Sequence, residues 1–222
     1  MSDSFRLGPD GVYRCDAFQE FIWQNHGFGT RHGSSEARTT LRQIHSNRVL
    51  NVASVKHHPH EGDGLVTDDI DESIGIRTAD CVPILLLDSR QRAVAVIHAG
   101  WRGTAAEICV CALEKMAEDF ETKPADVYAA VGPCIRECCY EVGAEVADQL
   151  VRFAPMPPPA NPGKQKINLA GANRFQLQAA GVKPERIFDC CLCTRCLSEQ
   201  FFSHRREPHN PGRMLSTIVR LA

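Results

Sequence analysis

No stretch of this 222-residue chain approaches the roughly 18 consecutive apolar residues that a membrane-spanning helix needs. The opening MSDSFRLGPD lacks the apolar core of a secretory signal. The formal net charge is only −2, which leaves no basic footprint for nucleic acid or for an anionic membrane surface. No internal repeat is visible. These absences lead to the expectation of a cytoplasmic protein with neither nucleic acid nor membrane as partner, and no feature sets an oligomeric state. Cysteine, by contrast, is abundant, with eleven residues. An odd count without a secretion signal argues against a disulfide framework. Free cysteine is among the most buried residue types, so most of the eleven read as small core residues.

The low-complexity stretch APMPPPANPGK, residues 154–164, reads as an exposed loop, because proline removes donors and blocks helix. The roughly 60 residues after it are few for a domain of their own, so 1–222 reads as a single domain. Helices are expected over AAEICVCALEKMAEDF, where Thr104 and Glu107 have capping-box spacing, over 143–153, and over NLAGANRFQLQAAG with Gly181 as its stop. Strands are expected over QIHSNRVLNVA, DGLVTD, VPILLL, AVAVIH, DVYAAVG, RIFDCCL and RMLSTIVRL. The mixture, without strict alternation, points to an α+β fold: a mixed sheet with helices packed outside it.

Within RTADCVPILLLDSRQRAVAVIHAGWRGT, Cys81 opens one apolar run and His98 closes the next. Folded as an antiparallel hairpin with its turn centred between Ser89 and Arg90, the runs set Cys81 directly opposite His98 on one sheet face. Directly opposed Cβ atoms ~4.5–5.5 Å apart suit a zinc ion held by sulfur and imidazole. A catalytic zinc usually takes three protein ligands. Among nine histidines, His57, His58 and His60 lie in a polar loop, and His204 and His209 sit among Arg, Glu and Pro. His45 lies in a strand-like pattern, where a satisfied core histidine and a third ligand both remain open. After His98, AGWRGT makes a tight strand-to-helix passage. Arg102 and the helix N-terminus there could hold an anion such as phosphate, or form nothing more than a well-made turn.

QIHSNRV, GDGLVTD, TADCVPILL, HAGWRGT, VGPCIRECCYEVG and FFSHRR…GRM occur in this order. Together they resemble the YfiH-like family, labelled laccase-domain or polyphenol-oxidase proteins, from about residue 24 to the C-terminus. The resemblance implies a mixed α/β sandwich and a zinc site made by His45, Cys81 and His98. It also implies an enzyme that cleaves adenosine, inosine or methylthioadenosine with phosphate, with adenosine deamination in some members. The family's usual FSYRR reads FSHRR here, with His204 in place of a tyrosine. On this reading Cys81, His98 and Asp80 form the catalytic group, and Arg102 and Arg205 are the phosphate candidates. Asp80 could shuttle a proton, or it could be a residue at the start of a strand that bonds backbone amides. The partners are then a purine nucleoside and phosphate.

Three other functions compete. Cys81 with His98 as base would suit a cysteine hydrolase, including a cell-wall precursor editing amidase. A copper phenol oxidase fits poorly, since His58-Pro59-His60 alone has His-x-His spacing, although a Cys/His₂ site could take up Cu(II) in vitro. A scaffold with structural zinc would draw on CCLCTRC, where Cys193 and Cys196 make half of a zinc-ribbon pattern. No second CxxC pairs with it, and Cys138 and Cys139 are adjacent and poorly spaced. Buried thiols with incidental spacing are therefore expected there, along with Cys190 and Cys191. The H-x-E…P-C-x-x-C signature of nucleobase deaminases is absent.

Overall fold

The apolar runs around Cys81 and His98 become two central strands, Val82–Asp88 and Val94–Ala99, in the computed structural model of the chain, which describes residues 4–55, 60–90, 92–153, 163–209 and 212–222. Both strands are buried on both faces, which is why they read as continuous apolar runs and not as alternation. They belong to a six-stranded sheet in the order Ile187–Asp189, Val127–Val131, Val82–Asp88, Val94–Ala99, Gly64–Thr67, Val49–Asn51. Its two outermost pairings are parallel and its inner ones antiparallel. A second mixed sheet runs Phe5–Leu7, Tyr13–Cys15, Gln24–Phe28, Met214–Arg220, Ile74–Thr78, Thr39–Thr40.

The two sheets face each other. Leu85, Leu87, Val94 and Val96 from one meet Phe28, Ile74, Ile76, Met214 and Ile218 from the other. On the opposite face of the first sheet, Val82, Ile84, Leu86, Ala95 and Ile97 pack under helices Ile108–Phe120 and Leu169–Ala179. The result is a mixed α/β sandwich with outer helices, the expected fold class.

Several local expectations need correction. The hairpin pairs Leu87 with Val94 and Pro83 with His98, so its register is two residues away from the expected one. The turn lies one residue further along the chain than expected: Asp88 N–H donates to Ala93 O, and Arg92 takes φ 57. A two-residue shift keeps every side chain on its face, so Cys81 and His98 become diagonal neighbours. The capping box does not form. Thr104 lies inside a short helix, Trp101–Ala105, and Glu107, at φ 60, breaks the chain before the long helix starts at Ile108. Of the proline-rich stretch, 154–162 lies outside the described residues, and Lys164 already begins a strand, Lys164–Lys166. The strands before residue 40 and Ile74–Thr78 carried no clear sequence signal.

His26 lies in the Gln24–Phe28 strand and is buried. Its Nε2 accepts from Cys15 N–H at 2.9 Å and its Nδ1–H donates to Gln24 Oε1 at 3.0 Å. Both nitrogens are used in the neutral state, and a second ring proton would meet the Cys15 donor. Burial, then the Arg14 charge, holds the imidazole down at about 3. The unfolded ring titrates near 6.5, so this contribution is complete above that pH and is lost as pH falls toward 3. Stability should fall by roughly 3 kcal/mol between pH 7 and pH 4 from this residue alone. Urea titrations at the two pH values check it, and His26→Gln should flatten the difference.

Candidate metal centre and its cleft

At the end of the inter-sheet face, beyond Val96 and Leu85, the apolar packing gives way to His98 and Cys81. His98 is 3% exposed, and Cys81 is half-buried. His45 reaches them from a separate loop. It is exposed and takes φ 60, so it belongs to neither a strand nor the core, contrary to the pattern read from the sequence. The ligand atoms of His45, Cys81 and His98 all lie within 4.8 Å of one another. Cys81 Sγ is 3.8 Å from His45 Nε2, and the two imidazoles meet edge to face at 4.8 Å between centroids.

Asp63, which the sequence did not single out, organises this group. It is fully buried. Its Oδ1 accepts from His98 Nδ1–H at 2.8 Å and from His45 N–H at 2.9 Å. Its Oδ2 accepts from Ser46 N–H at 2.6 Å and Ser46 Oγ–H at 2.7 Å. One carboxylate therefore sets the His98 tautomer, turns its Nε2 toward Cys81, and folds the loop that delivers His45. Asp63 belongs to GDGLVTD, but a carboxylate that works through backbone amides has no spacing signature to find.

The electrostatics follow. Burial opposes ionisation of Cys81, yet hydrogen bonds from His45 and His98 outweigh it and hold the thiol down at about 6. Burial likewise opposes a charged His98, but Asp63 and the Cys81 thiolate raise it to about 9. Asp63 would be pushed up by burial, and its bonds from His98 and Ser46 hold it at about 2 instead. Without a metal the group is an anion–cation–anion chain. A divalent ion replacing the His98 proton would meet one thiolate and two imidazoles.

The donor set fits such an ion. Tetrahedral bonds of ~2.3 Å to sulfur and ~2.0–2.1 Å to nitrogen separate those atoms by about 3.6 Å, close to the 3.8 Å observed. The backbone leaves room for it at Gly100. A Cβ there would lie 2.8 Å from His45 Cδ2 and 3.2 Å from Cys81 Sγ. Its φ of −75 suits alanine, so Gly100→Ala should fold but weaken metal binding about 10–100-fold, measured by competition with a chromogenic chelator.

A cleft of about 300 Å³ opens over the group, lined by His45, Cys81, Trp101, Arg102, Tyr140, His204 and Arg205 among others. A second, of about 380 Å³, is lined by His98 and shares His45, Cys81 and His204 with the first. Arg102 lies over the Trp101 ring at 4.3 Å and Arg205 over Tyr140 at 5.4 Å. Arg205 also donates to Glu141 O at 2.8 Å. The helix start offered for an anion belongs to a five-residue helix, so the two guanidiniums are the stronger anion donors here. Burial, and then the Cys81 charge, pushes the Tyr140 hydroxyl up to about 12, so it keeps its proton.

Asp80 is buried and takes φ 88. Its Oδ1 accepts from Thr194 Oγ at 2.6 Å, and its Oδ2 accepts from Ser203 Oγ and Arg205 N–H at 3.0 and 2.7 Å. His209 is exposed and lines neither cleft. His57 and His58 lie outside the described residues.

Residues 20–221 match the family described as multi-copper polyphenol oxidoreductase laccase. The purine nucleoside phosphorylase YlmD of Geobacillus stearothermophilus is 40% identical over 163 residues, 71% of this chain and 60% of that relative's length. The adenosine deaminase RL5, from an unknown prokaryotic organism, is 42% identical over 194 residues, 81% of this chain and 73% of the relative. Among solved structures, YlmD from Geobacillus stearothermophilus superposes with a TM-score of 0.86 at 30% identity, covering 99% of this chain and 100% of that one. The Bacillus licheniformis hypothetical protein YfiH gives 0.87 at 26% identity with the same coverage. No helix among the described residues is long and apolar enough to cross a membrane.

Proposed function

The chain belongs to the multi-copper polyphenol oxidoreductase laccase family, and from that premise we propose that it cleaves purine nucleosides with phosphate at a zinc centre held by His45, Cys81 and His98. The observation that carries this reading is the convergence of those three donors, two of which, His45 and Cys81, line a cleft walled by two guanidiniums. The relatives' names supply the substrate class, with adenosine deamination as an accompanying activity.

In phosphorolysis a phosphate oxygen bonds to the anomeric carbon as the bond to the purine nitrogen breaks. Arg102 and Arg205, held against aromatic rings, would bind the phosphate dianion and keep it in line. Tyr140, which keeps its Oη proton, would donate a hydrogen bond toward the purine as negative charge builds on it. Trp101 offers the apolar flank a base requires. Asp80 acts as a positioning residue on this account, because its bonds hold the segment that carries Ser203 and Arg205. His204 borders both clefts and stands where the family resemblance leads one to expect tyrosine. A zinc ion at the centre would supply Lewis acidity for charge that develops in the cleft.

A second reading has its own support. Cys81, His98 and Asp63 form a thiol–imidazole–carboxylate chain of the kind that serves cysteine hydrolases. A phenol oxidase is less well supported. Among the described residues the other metal-competent cluster contains no histidine, and coupled copper centres draw on many.

Incubation with adenosine, with and without phosphate, tests the proposal. Adenine and ribose 1-phosphate formed only with phosphate are the expected products. Inosine would assign deamination as the main reaction, and neither product at any metal loading would overturn the nucleoside reading.

A further inference from the structure

Contrary to the expectation of incidental thiols, a second set of donors converges near Arg205. Cys138 and Cys139, in the turn after Arg136, meet Cys193 and Cys196 from the loop that follows the Ile187–Asp189 strand. Their four sulfurs all lie within 4.8 Å of one another. Cys138 and Cys139 are 3.7 Å apart, Cys138 and Cys196 3.8 Å, and Cys139 and Cys196 3.3 Å. None of these cysteines is in a disulfide.

We propose that Cys138, Cys139, Cys193 and Cys196 bind a single structural zinc ion, separate from the centre at Cys81. A tetrahedron with ~2.3 Å bonds from zinc to sulfur has edges of about 3.8 Å, which the three separations among Cys138, Cys139 and Cys196 match or slightly undercut, with the Cys193 sulfur within 4.8 Å of each. Iron–sulfur clusters interpose several iron and sulfide atoms between their cysteines, and these spacings leave room for one ion. The expectation of incidental thiols rested on the lack of a second CxxC. Here two neighbouring residues of a tight turn, where Cys139 N–H bonds Arg136 O at 2.8 Å, replace it.

The surroundings suit the charge. Four thiolates around a divalent cation carry two excess negative charges, and Lys166, Arg195 and Arg205 line the same hollow against one acid, Glu141. The Arg195 guanidinium sits beside the Cys139 sulfur. The backbone already aligns the two segments. The backbones of Cys134 and Cys193 pair in a parallel β-bridge, and Thr194 N–H donates to Cys134 O at 3.0 Å. An ion here would fasten the turn that leads into Tyr140 to the loop whose Thr194 donates to Asp80. It would thereby brace the cleft wall from behind.

The full-length protein, produced with zinc and a reductant, should hold about two zinc ions per chain. Cys138→Ser and Cys196→Ser, both at exposed positions, should each remove one and keep the other. X-ray absorption of the zinc-loaded His45→Ala protein isolates the second site without relying on those variants folding. It should show four sulfur neighbours at ~2.3 Å. Wild-type protein holding one zinc that Cys196→Ser retains would overturn the proposal. So would a His45→Ala protein that binds no zinc under reducing conditions and carries a Cys139–Cys196 disulfide without reductant. Neither outcome depends on whether the Cys81 centre acts on nucleosides.

Discussion

Cys81→Ala should lose the metal at the cleft floor and lower kcat/KM for nucleoside phosphorolysis by about a thousandfold or more. Cys81 supplies the one anionic donor among three, and its thiol is already held down at about 6 by His45 and His98. Two imidazoles on their own do not usually keep a catalytic zinc. Cys81 is half-buried and precedes the strand Val82–Asp88, so the loss of one sulfur leaves that strand in place and the fold should survive. Metal analysis of the purified variant checks the first half and steady-state kinetics the second. His45→Ala separates the two readings of the site. If the metal is essential, this variant falls with Cys81→Ala. If Cys81, His98 and Asp63 act as a metal-free hydrolase, His45 is outside that chain, reaching the thiol and the edge of the His98 ring, and the variant keeps most of its activity.

Asp63→Ala should be the most damaging single change to the fold around the site. Removing this carboxylate strands a buried His98 Nδ1–H, the His45 and Ser46 amides and the Ser46 hydroxyl without their acceptor. Breaking a buried charge pair of this kind costs about 3–5 kcal/mol. For a chain of this size that is roughly a 10 °C fall in Tm. Metal affinity should fall a further 10–100-fold, because His98 loses the bond that aims its Nε2. Asp63→Asn keeps the shape and one acceptor oxygen but turns donors toward donors, so it should fall between the two. Thermal unfolding with and without added zinc reads both effects. A variant with wild-type Tm would contradict the central place given to Asp63.

The parts of this site legible in the sequence were those that local rules reach. Two apolar runs separated by a polar pentapeptide set Cys81 and His98 on one face, and an error of two residues in the turn left that face unchanged. His45 came from family resemblance. Its loop is neither strand nor core, and periodicity had placed it in one or the other. Asp63 escaped notice because it works by collecting amides from a loop 17 to 19 residues away, and such convergence leaves no spacing to count. The four-cysteine cluster escaped because the search for paired CxxC knuckles assumes that each half has the same geometry. The broad fold was legible through the buried central strands. The second sheet was not, since its edge strands are short and partly polar, and Ile74–Thr78 is held by neighbours distant in sequence.

The most direct test is anomalous diffraction at the zinc edge from crystals of the zinc-loaded protein. The account predicts a peak bonded to Cys81 Sγ at ~2.3 Å and to His45 Nε2 and His98 Nε2 at ~2.0–2.1 Å. No peak between those three residues in saturated crystals, with Cys81 instead alkylated selectively by a slight excess of iodoacetamide, would contradict it.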